Sequence, residues 1–293
     1  MTTAALDPPT GLPAAAAVMA RSGGENFPVA SRVLPRRLRG RLLAIYGFAR
    51  LVDELGDADG YPIADRLAAL DWLEEELDRA YAGRARHPLL VGLQETLREC
   101  RLPREPFMRL IEANRVDQRV ARYQTWEQLL GYCRLSADPV GELVLSAFGQ
   151  ATPERVALSD RICTALQLAE HWQDVAEDVA RGRIYLPAED LERFGCGEFE
   201  LHAPRASWRL RGLLAFEVAR TRALMDEGAP LLDTLHGRER VAVAAFVAGG
   251  RAALDAVERT GYDVLGDPPT HAPRASRARR AAALAMTLAE RRR

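Results

Sequence analysis

Lysine is absent from this chain of 293 residues, and all 40 of its basic residues are arginine. The 41 acidic residues bring the formal net charge to −1, so the overall charge gives no reason to expect a nucleic-acid partner. The chain has only four cysteines, which are far apart and include no Cys-x-x-Cys pair: Cys100, Cys133, Cys163 and Cys196. This spacing argues against a disulfide framework or a zinc site, and it favours isolated thiols in a reducing, cytoplasmic compartment.

Long apolar runs and nucleotide-binding motifs are missing as well. The apolar run "PAAAAVMA" at residues 13–20 is too short to span a bilayer. It follows Asp7 and two prolines instead of basic residues, so we expect no signal peptide. No G-x-G-x-x-G loop or P-loop occurs, and nothing therefore predicts a bound NADPH. A carboxylate-bridged di-iron bundle would need Glu-x-x-His motifs, which are also absent.

Helical periodicity runs through most of the chain, and strand alternation is nearly absent. Residues 1–24 are rich in Ala, Pro and Gly and are predicted to form a mobile arm. Residues 25–266 are predicted to form one all-α domain, because no gap within them resembles a linker. Residues 267–293 are predicted to form an Arg/Ala-rich helix or tail, which could lie on an anionic membrane surface but is better explained as a solvated helix. The predicted helices cover residues 37–57, 62–82, 87–101, 104–119, 125–135, 138–150, 153–181, 205–234, 237–261 and 272–291.

Two otherwise apolar helical stretches carry acids that share one helix face. In "FARLVDELGD", residues 48–57, Asp53 and Asp57 lie four positions apart and Arg50 lies one turn earlier. In "QLAEHWQDVAEDVARGRIYLP", residues 167–187, the predicted polar stripe consists of Gln167, Glu170, Asp174 and Asp178. Like charges at this spacing repel one another, and burial worsens the repulsion. Acids without a histidine or thiolate partner suit Mg²⁺, so the two stretches together predict a metal cluster that binds a diphosphate, whereas either stretch alone could be ordinary solvated surface.

These stretches resemble the two aspartate-rich motifs of the squalene/phytoene synthase family. The first motif corresponds to "RLVDELGD" and the second to "QLAEHWQDVAEDVARGRIYLP", whose R-x-Y-L-P ending is highly specific. The segments "YCRLSADPVGELVLSAFG", "LIEANRVDQ" (with Asp117) and "LDAVERTGYDVL" are similar to further family regions, so the match covers about residues 25–265. The chain departs from the family pattern at Asp138, Glu170 and His171.

The resemblance implies the all-α isoprenoid synthase fold, a single-domain helical bundle with a central active-site cavity. It also implies ionisation of an allylic or cyclopropylcarbinyl diphosphate that depends on Mg²⁺, with Mn²⁺ as an alternative ion. The implied metal ligands are Asp53, Asp57, Asp174 and Asp178. The implied diphosphate-binding residues are Arg50, Gln167, Arg183 and Tyr185, and catalysis is expected to use Arg50, Tyr132 and Tyr185 together with the four aspartates. The candidate aromatic residues lining the cavity, each equally compatible with an ordinary core, are Phe27, Tyr46, Phe48, Tyr132 and Phe148.

Within the family, "ENFPVAS", "YCRLSADPVG" and "WQD" are most similar to the bacterial hydroxysqualene synthase branch. The resemblance then implies conversion of presqualene diphosphate and water into hydroxysqualene and diphosphate, without NADPH. Presqualene diphosphate, squalene and phytoene synthases remain alternatives, as does a non-catalytic relative that acts as an assembly or scaffold protein. The expected partners are the diphosphate substrate, the inner face of the membrane and neighbouring pathway enzymes through transient contact, but no nucleic acid.

Overall fold

The computed structural model describes residues 9, 12–20, 34–58, 60–265 and 277–290. Helices dominate these residues, and the one strand-like pairing among them is an isolated bridge between Arg122 and Ile184. The helices are α1 (Ala15–Ala20), α2 (Arg36–Gly56), α3 (Ile63–Tyr81), α4 (Pro88–Cys100), α5 (Glu105–Asp117), α6 (Trp126–Ser136), α7 (Asp138–Ala147), α8 (Pro153–Gln173), α9 (Val175–Ala180), α10 (Ala188–Arg193), a 3₁₀ helix (Glu198–His202), α11 (Trp208–Gly228), α12 (Leu231–Thr234), α13 (Gly237–Arg259) and α14 (Arg277–Glu290). The prediction of an all-α protein is confirmed. No helix in these ranges is both long and apolar enough to cross a membrane.

The described residues form two compact units. The first contains the residues up to 119 together with residues 139–156, and α2 is its central helix, in contact with α1, α3, α4 and α5. The apolar side chains of α2 fill the core on most sides, and Phe48 meets Phe107 of α5 edge to face at 4.9 Å. The first aspartate stretch therefore lies at the C-terminal end of a well-packed core helix.

A buried acid, Glu76 of α3, serves the packing of the first unit. Its carboxylate accepts hydrogen bonds from the backbone N–H groups of Arg86 and His87, the latter at 2.8 Å, and it pairs with Arg79 at 2.9 Å. Burial acts to raise the pKa of Glu76, but these hydrogen bonds lower it overall. Glu76 thus satisfies donors at the start of α4 and stabilises the junction between α3 and α4.

The second unit contains residues 120–138 and the residues from 157 onward. Within it, α13 packs against α11, α12 and α14, and the 3₁₀ helix packs against α9. The indole N–H of Trp172 on α8 donates to the Thr221 hydroxyl of α11 at 2.8 Å, so even the largest buried side chain has its polar atom satisfied. These contacts hold α8 and α9, which carry the second aspartate stretch.

The helices differ from the sequence prediction at five places. The helix predicted over 153–181 is interrupted at Asp174 (φ −104°, ψ 13°), and the one predicted over 205–234 is interrupted near Pro230, which has no N–H to continue it. The short α10 and the 3₁₀ helix were not predicted, because one or two turns give too little periodicity. Within the predicted N-terminal arm, Ala15–Ala20 is helical, and its buried Val18 belongs to the packing of α1 against α2.

Candidate active site

The first aspartate cluster lies at the C-terminal end of α2. Asp57 follows the last helical residue, and its N–H donates to the Asp53 carbonyl at 2.8 Å, which extends the helical register through the turn. Arg50 lies 3.9 Å from the Asp53 carboxylate but is closer to Glu54, at 3.2 Å. The guanidinium that sequence reasoning assigned to the aspartates is therefore shared with Glu54.

Two side-chain amides, one on α5 and one on the residue that follows it, support this end of α2. The Asn114 side chain donates to Asp53 Oδ1 at 3.3 Å, and the Gln118 side chain donates to the Gly56 carbonyl at 3.0 Å. Asn114 is buried, and a Cβ atom at position 56 would overlap its Oδ1 and lie 2.9 Å from its Cγ. Gly56 is thus required for the close approach of α5, which fixes one oxygen of Asp53.

The Asp53 carboxylate is short of positive charge. The pKa of Asp53 is raised to about 7, and desolvation by the surrounding protein is the largest cause. The Arg50 charge and the Asn114 hydrogen bond act to lower this pKa, whereas the charges of Asp57 and Asp117 act to raise it. The side chain is 49% exposed, so water reaches it and moderates this shift. An exposed carboxylate among other acids is suited to receive a cation.

The second aspartate cluster surrounds the interruption between α8 and α9. Asp174 lies at the interruption, but the Asp174 N–H still donates to the Glu170 carbonyl and the Asp178 N–H to the Asp174 carbonyl, at 2.9 and 2.8 Å. One Asp178 oxygen lies 3.9 Å from Nδ1 of the buried His171, and Gln167 Nε2 lies 3.3 Å from His171 Nε2. Gln167 and Asp178 therefore both lie near His171, while the helix is interrupted at Asp174; that the four residues act as one polar stripe stays a prediction.

An aromatic cluster borders the second aspartate cluster. The Tyr185 ring stacks on His171, with ring centroids 3.7 Å apart and an interplanar angle of 16°, and it also stacks on Tyr123 at 5.8 Å. Tyr132 lies 5.7 Å from Tyr185 and 6.2 Å from His171. The backbone positions this cluster, because the Ile184 N–H donates to the Ala121 carbonyl at 2.9 Å and so joins the R-x-Y-L-P segment to the residues before α6.

The departures from the family pattern receive different explanations. Asp138 is buried and accepts a hydrogen bond from the Thr164 hydroxyl at 2.8 Å, so a partner within the second unit satisfies it. His171 replaces the aromatic residue expected at this position, and its imidazole ring stacks on Tyr185 as an aromatic ring would. Glu170 is half-buried on α8, one turn before Asp174.

The remaining predicted residues have diverse positions. Phe48 is buried in the core of the first unit, in edge-to-face contact with Phe107, and its role in lining a cavity stays a prediction. Tyr46, Phe148 and Arg183 are each half-buried, and the Arg183 N–H donates to the Asp178 carbonyl at 2.8 Å. Phe27 lies outside the described residues.

Sequence reasoning missed Asn114, Gln118 and Tyr123. Their roles depend on contacts between segments that are far apart along the chain, such as the 61 residues that separate Asn114 from Asp53. The resemblance of "LIEANRVDQ" to a family segment was the only available signal for the first two, and it directed attention to Asp117.

The donor set fits Mg²⁺ bound together with a phosphate-bearing ligand. In the described ranges, no three acid, cysteine or histidine side chains are grouped closely enough to hold an ion by themselves. Protein-bound Mg²⁺ typically uses one or two carboxylates, several waters and substrate phosphates, so a preformed cage is not needed. The exposed Asp53 carboxylate, with Asp57 and Asp117 nearby, offers oxygen ligands of this kind.

Comparisons with known proteins find relatives over most of the chain. A model of the squalene/phytoene synthase family matches residues 20–287. A hydroxysqualene synthase from Rhodopseudomonas palustris is 36% identical over 209 residues, covering 71% of this chain and 70% of the relative. A phytoene synthase from Arthrospira platensis is 33% identical over 259 residues, covering 82% of each chain.

Solved structures show the same fold. The squalene synthase HpnC from Alicyclobacillus acidocaldarius is 50% identical, with a TM-score of 0.77 over 83% of this chain and 92% of that one. A dehydrosqualene synthase in complex with a ligand gives a TM-score of 0.82 over 94% and 95% of the two chains at 24% identity, which shows a shared fold. The fold class is therefore that of the all-α isoprenoid synthases, which release diphosphate. The chain belongs to the squalene/phytoene synthase family, and the predictions of family, fold and enzyme class are confirmed.

Proposed function

We propose that the protein is a Mg²⁺-dependent hydroxysqualene synthase that converts presqualene diphosphate and water into hydroxysqualene and diphosphate. The observation that carries the proposal is the similarity to proteins of the squalene branch, above all the 50% identity to the squalene synthase HpnC. The hydroxysqualene synthase of Rhodopseudomonas palustris, at 36% identity, supports the finer choice of product.

The four aspartates would hold the metal ions that bind the diphosphate end of the substrate. Mg²⁺ held by Asp53 and Asp57, and by Asp174 and Asp178, would supply positive charge to the departing diphosphate. Asn114 keeps Asp53 oriented by donating to Oδ1, and the other oxygen, Oδ2, which lies 3.9 Å from Arg50, would serve as the ligand once Arg50 turns to the diphosphate. The carbon–oxygen bond breaks with its electron pair on the diphosphate, so a cation remains on the carbon skeleton.

Arginine and glutamine side chains are assigned to the same diphosphate. A guanidinium presents paired N–H donors that match phosphate oxygens, which suits Arg50 and Arg183 to this task. Arg50 would exchange its contact with Glu54, at 3.2 Å, for the more highly charged diphosphate. Gln167, which lies 3.3 Å from His171 in the second cluster, would donate to the diphosphate from its side-chain amide.

The aromatic cluster is assigned to the cationic end of the reaction. The faces of Tyr132 and Tyr185 can stabilise a carbocation through their negative ring faces while the cyclopropylcarbinyl skeleton rearranges. Their burial restricts water until the rearranged cation forms, after which one water oxygen adds to it and loses a proton to the diphosphate or to solvent. No reductant enters this sequence, so NADPH is not required.

A second candidate is a head-to-head prenyl synthase that makes phytoene. The supporting observation is the Arthrospira platensis phytoene synthase, which aligns over a larger share of this chain than the hydroxysqualene synthase does. Such an enzyme would join two prenyl diphosphates and would not use presqualene diphosphate with water as its substrates.

A substrate panel separates the two candidates. The purified protein would be incubated with Mg²⁺ and, in parallel, with presqualene, farnesyl or geranylgeranyl diphosphate, and the products identified by mass spectrometry. The proposal expects a hydroxylated C30 alcohol from presqualene diphosphate, no product in EDTA and no change on adding NADPH. Phytoene from geranylgeranyl diphosphate would establish the second candidate instead.

A further inference from the structure

Two aromatic side chains in the second unit are unusually exposed. Phe199 and Trp208 are each 78% exposed, more than any other large apolar side chain in the described residues. A single exposed apolar side chain is common on protein surfaces and needs no explanation. These two, however, belong to the same short segment between the 3₁₀ helix and the first turn of α11.

A hydrogen-bond network holds the two aromatic residues in place. Glu200 accepts from the Gly197 N–H at 3.2 Å and from the Ser207 hydroxyl, and Ser207 caps α11 by accepting from the Leu210 N–H at 3.2 Å. The bonded residues Glu200 and Ser207 are the immediate neighbours of Phe199 and Trp208 along the chain. The Phe199 ring also lies over Gly197, where a Cβ atom would come within 2.6 Å of Phe199 Cδ1. The exposed rings are therefore held outward by a fixed loop.

The charge around the two rings favours an anionic surface. Arg205 and Arg209 are exposed on either side of Trp208, and the Arg209 guanidinium lies 5.2 Å from the Trp208 ring centroid. The acids beside this segment are each engaged: Glu200 by Gly197 and Ser207, Glu198 by Arg122 at 3.2 Å, and Asp263 by the Ala206 N–H and by Arg211 at 2.6 Å. Arginine, tryptophan and phenylalanine together are the composition of surfaces that seat in the headgroup region of a bilayer.

The same surface adjoins the second aspartate cluster. The 3₁₀ helix that carries Phe199 packs against α9, which carries Asp178. Arg122 joins the two segments further, because it pairs with Glu198 at 3.2 Å and donates to the Gly182 carbonyl at 2.7 Å. A membrane contact here would place the lipid phase beside the segment assigned to substrate binding.

We propose that Phe199 and Trp208, flanked by Arg205 and Arg209, form a docking surface for the anionic inner face of a membrane. The inference deepens the proposed function, since a C30 prenyl diphosphate keeps its hydrocarbon part in the bilayer and its diphosphate at the interface. It would make the protein a peripheral membrane enzyme. The binding test below does not depend on which prenyl diphosphate is the substrate.

Tryptophan fluorescence can report on this surface directly. The chain has four tryptophans, and Trp72 and Trp172 are buried while Trp126 is half-buried beneath Arg220, with 3.5 Å between the guanidinium carbon and the ring centroid. Vesicles of phosphatidylglycerol and phosphatidylcholine, with and without brominated acyl chains, would be titrated into the full-length protein. The proposal expects a blue shift and bromine quenching of the Trp208 fluorescence. It also expects co-sedimentation with the vesicles to weaken when the phosphatidylglycerol fraction is lowered or the ionic strength is raised.

Variants assign the binding to the proposed surface. Phe199→Ser/Trp208→Ser should lower the vesicle partition coefficient by about tenfold or more, since both rings lose their apolar contact with lipid. Ile63→Ser/Val91→Ser is the matched control, because it removes two exposed apolar side chains of the first unit. The control should bind vesicles like the wild type, and both double variants should retain wild-type turnover of detergent-dispersed substrate.

Three results would overturn the proposal. The first is that the wild type does not bind phosphatidylglycerol vesicles. The second is that the Phe199/Trp208 variant binds them as well as the wild type, which is the result expected if the Arg-rich segment after Arg277 makes the contact. The third is that the two rings mediate a dimer, which sedimentation velocity would detect in the wild type but not in the variant. Failure of the proposed function would look different, because every variant would then bind as expected while none released diphosphate from presqualene diphosphate.

Discussion

The substitution Gly56→Ala tests how α5 orients the first aspartate. Position 56 ends α2, and a methyl group there would overlap Asn114 Oδ1 and lie 2.9 Å from Asn114 Cγ. Asn114 is buried, so its side chain has to rotate or α5 has to move away. In either case the 3.3 Å hydrogen bond from Asn114 to Asp53 is lost.

Three contributions set the expected change in stability. Overpacking of a buried contact costs about 1–3 kcal/mol. Losing the hydrogen bond to Asp53 lowers the free energy of unfolding by roughly 1 kcal/mol more. This is a small value for a hydrogen bond to a carboxylate, because water replaces Asn114 at this half-exposed side chain. Alanine in place of glycine in a helix offsets up to about 1 kcal/mol of this. The free energy of unfolding should therefore fall by about 1–3 kcal/mol.

The same variant should weaken the response to Mg²⁺. Residues that orient a metal ligand are worth about tenfold to a hundredfold in metal affinity, so the Mg²⁺ concentration for half-maximal turnover should rise by about tenfold or more. Thermal unfolding followed by circular dichroism gives the stability, and diphosphate release against Mg²⁺ concentration gives the second quantity. The matched control is Gly92→Ala on α4, where an added Cβ meets nothing within 4 Å and should be neutral or stabilising.

A double variant separates steric strain from lost orientation. Gly56→Ala/Asn114→Ala removes the side chain that clashes, so its stability should recover towards that of Asn114→Ala while the raised Mg²⁺ requirement persists. If Gly56→Ala instead matches Gly92→Ala in both stability and Mg²⁺ dependence, the support of Asp53 by α5 described here is wrong.

Three further predictions concern acidic residues. Asp53→Asn and Asp174→Asn should each leave the Mg²⁺-free melting temperature unchanged or higher, because they remove charge from an acidic cluster, while turnover falls by about a hundredfold or more; retained activity in both variants would contradict their assignment as metal ligands. Glu170→Asn should shift both the Mg²⁺ concentration for half-maximal activity and the acid limb of the pH–rate profile if Glu170 reaches the second cluster, and unchanged values would place it outside the site. Glu76 has a lowered folded-state pKa, so its stabilising effect should be full above its ordinary pKa of 4.5 and disappear as pH falls through the folded-state value. Glu76→Gln should accordingly cost about 1–3 kcal/mol at neutral pH and much less in acid, and a cost independent of pH would show that the charge is not what matters.

The helical framework was predictable because the information lies within short segments. The periodicity over 37–57 predicted α2 to within one residue at each end, and the prediction of a core helix is confirmed by its buried side chains. The register of Asp53 and Asp57 followed directly from helix geometry. The bend at Asp174 was not predictable, since both neighbouring hydrogen bonds are retained and local propensity gives no break there.

The surroundings of the acids depend on contacts that no local pattern encodes. Asn114 reaches Asp53 from another helix, and Tyr123 stacks on Tyr185 from a segment 62 positions earlier. The arginine assigned to Asp53 from spacing alone is also shared with Glu54, because both partners lie within one turn of Arg50. Spacing thus predicted which acids share a helix face, whereas side-chain packing decides which groups orient them.

The source of the product oxygen is the most direct test of the central claim, that water captures the rearranged cation. The protein would be incubated with Mg²⁺ and presqualene diphosphate in water enriched in oxygen-18, and the C30 product analysed by mass spectrometry. The account predicts an alcohol that carries one oxygen-18 atom, formed without NADPH. An unlabelled alcohol, or no C30 alcohol at all, would contradict it.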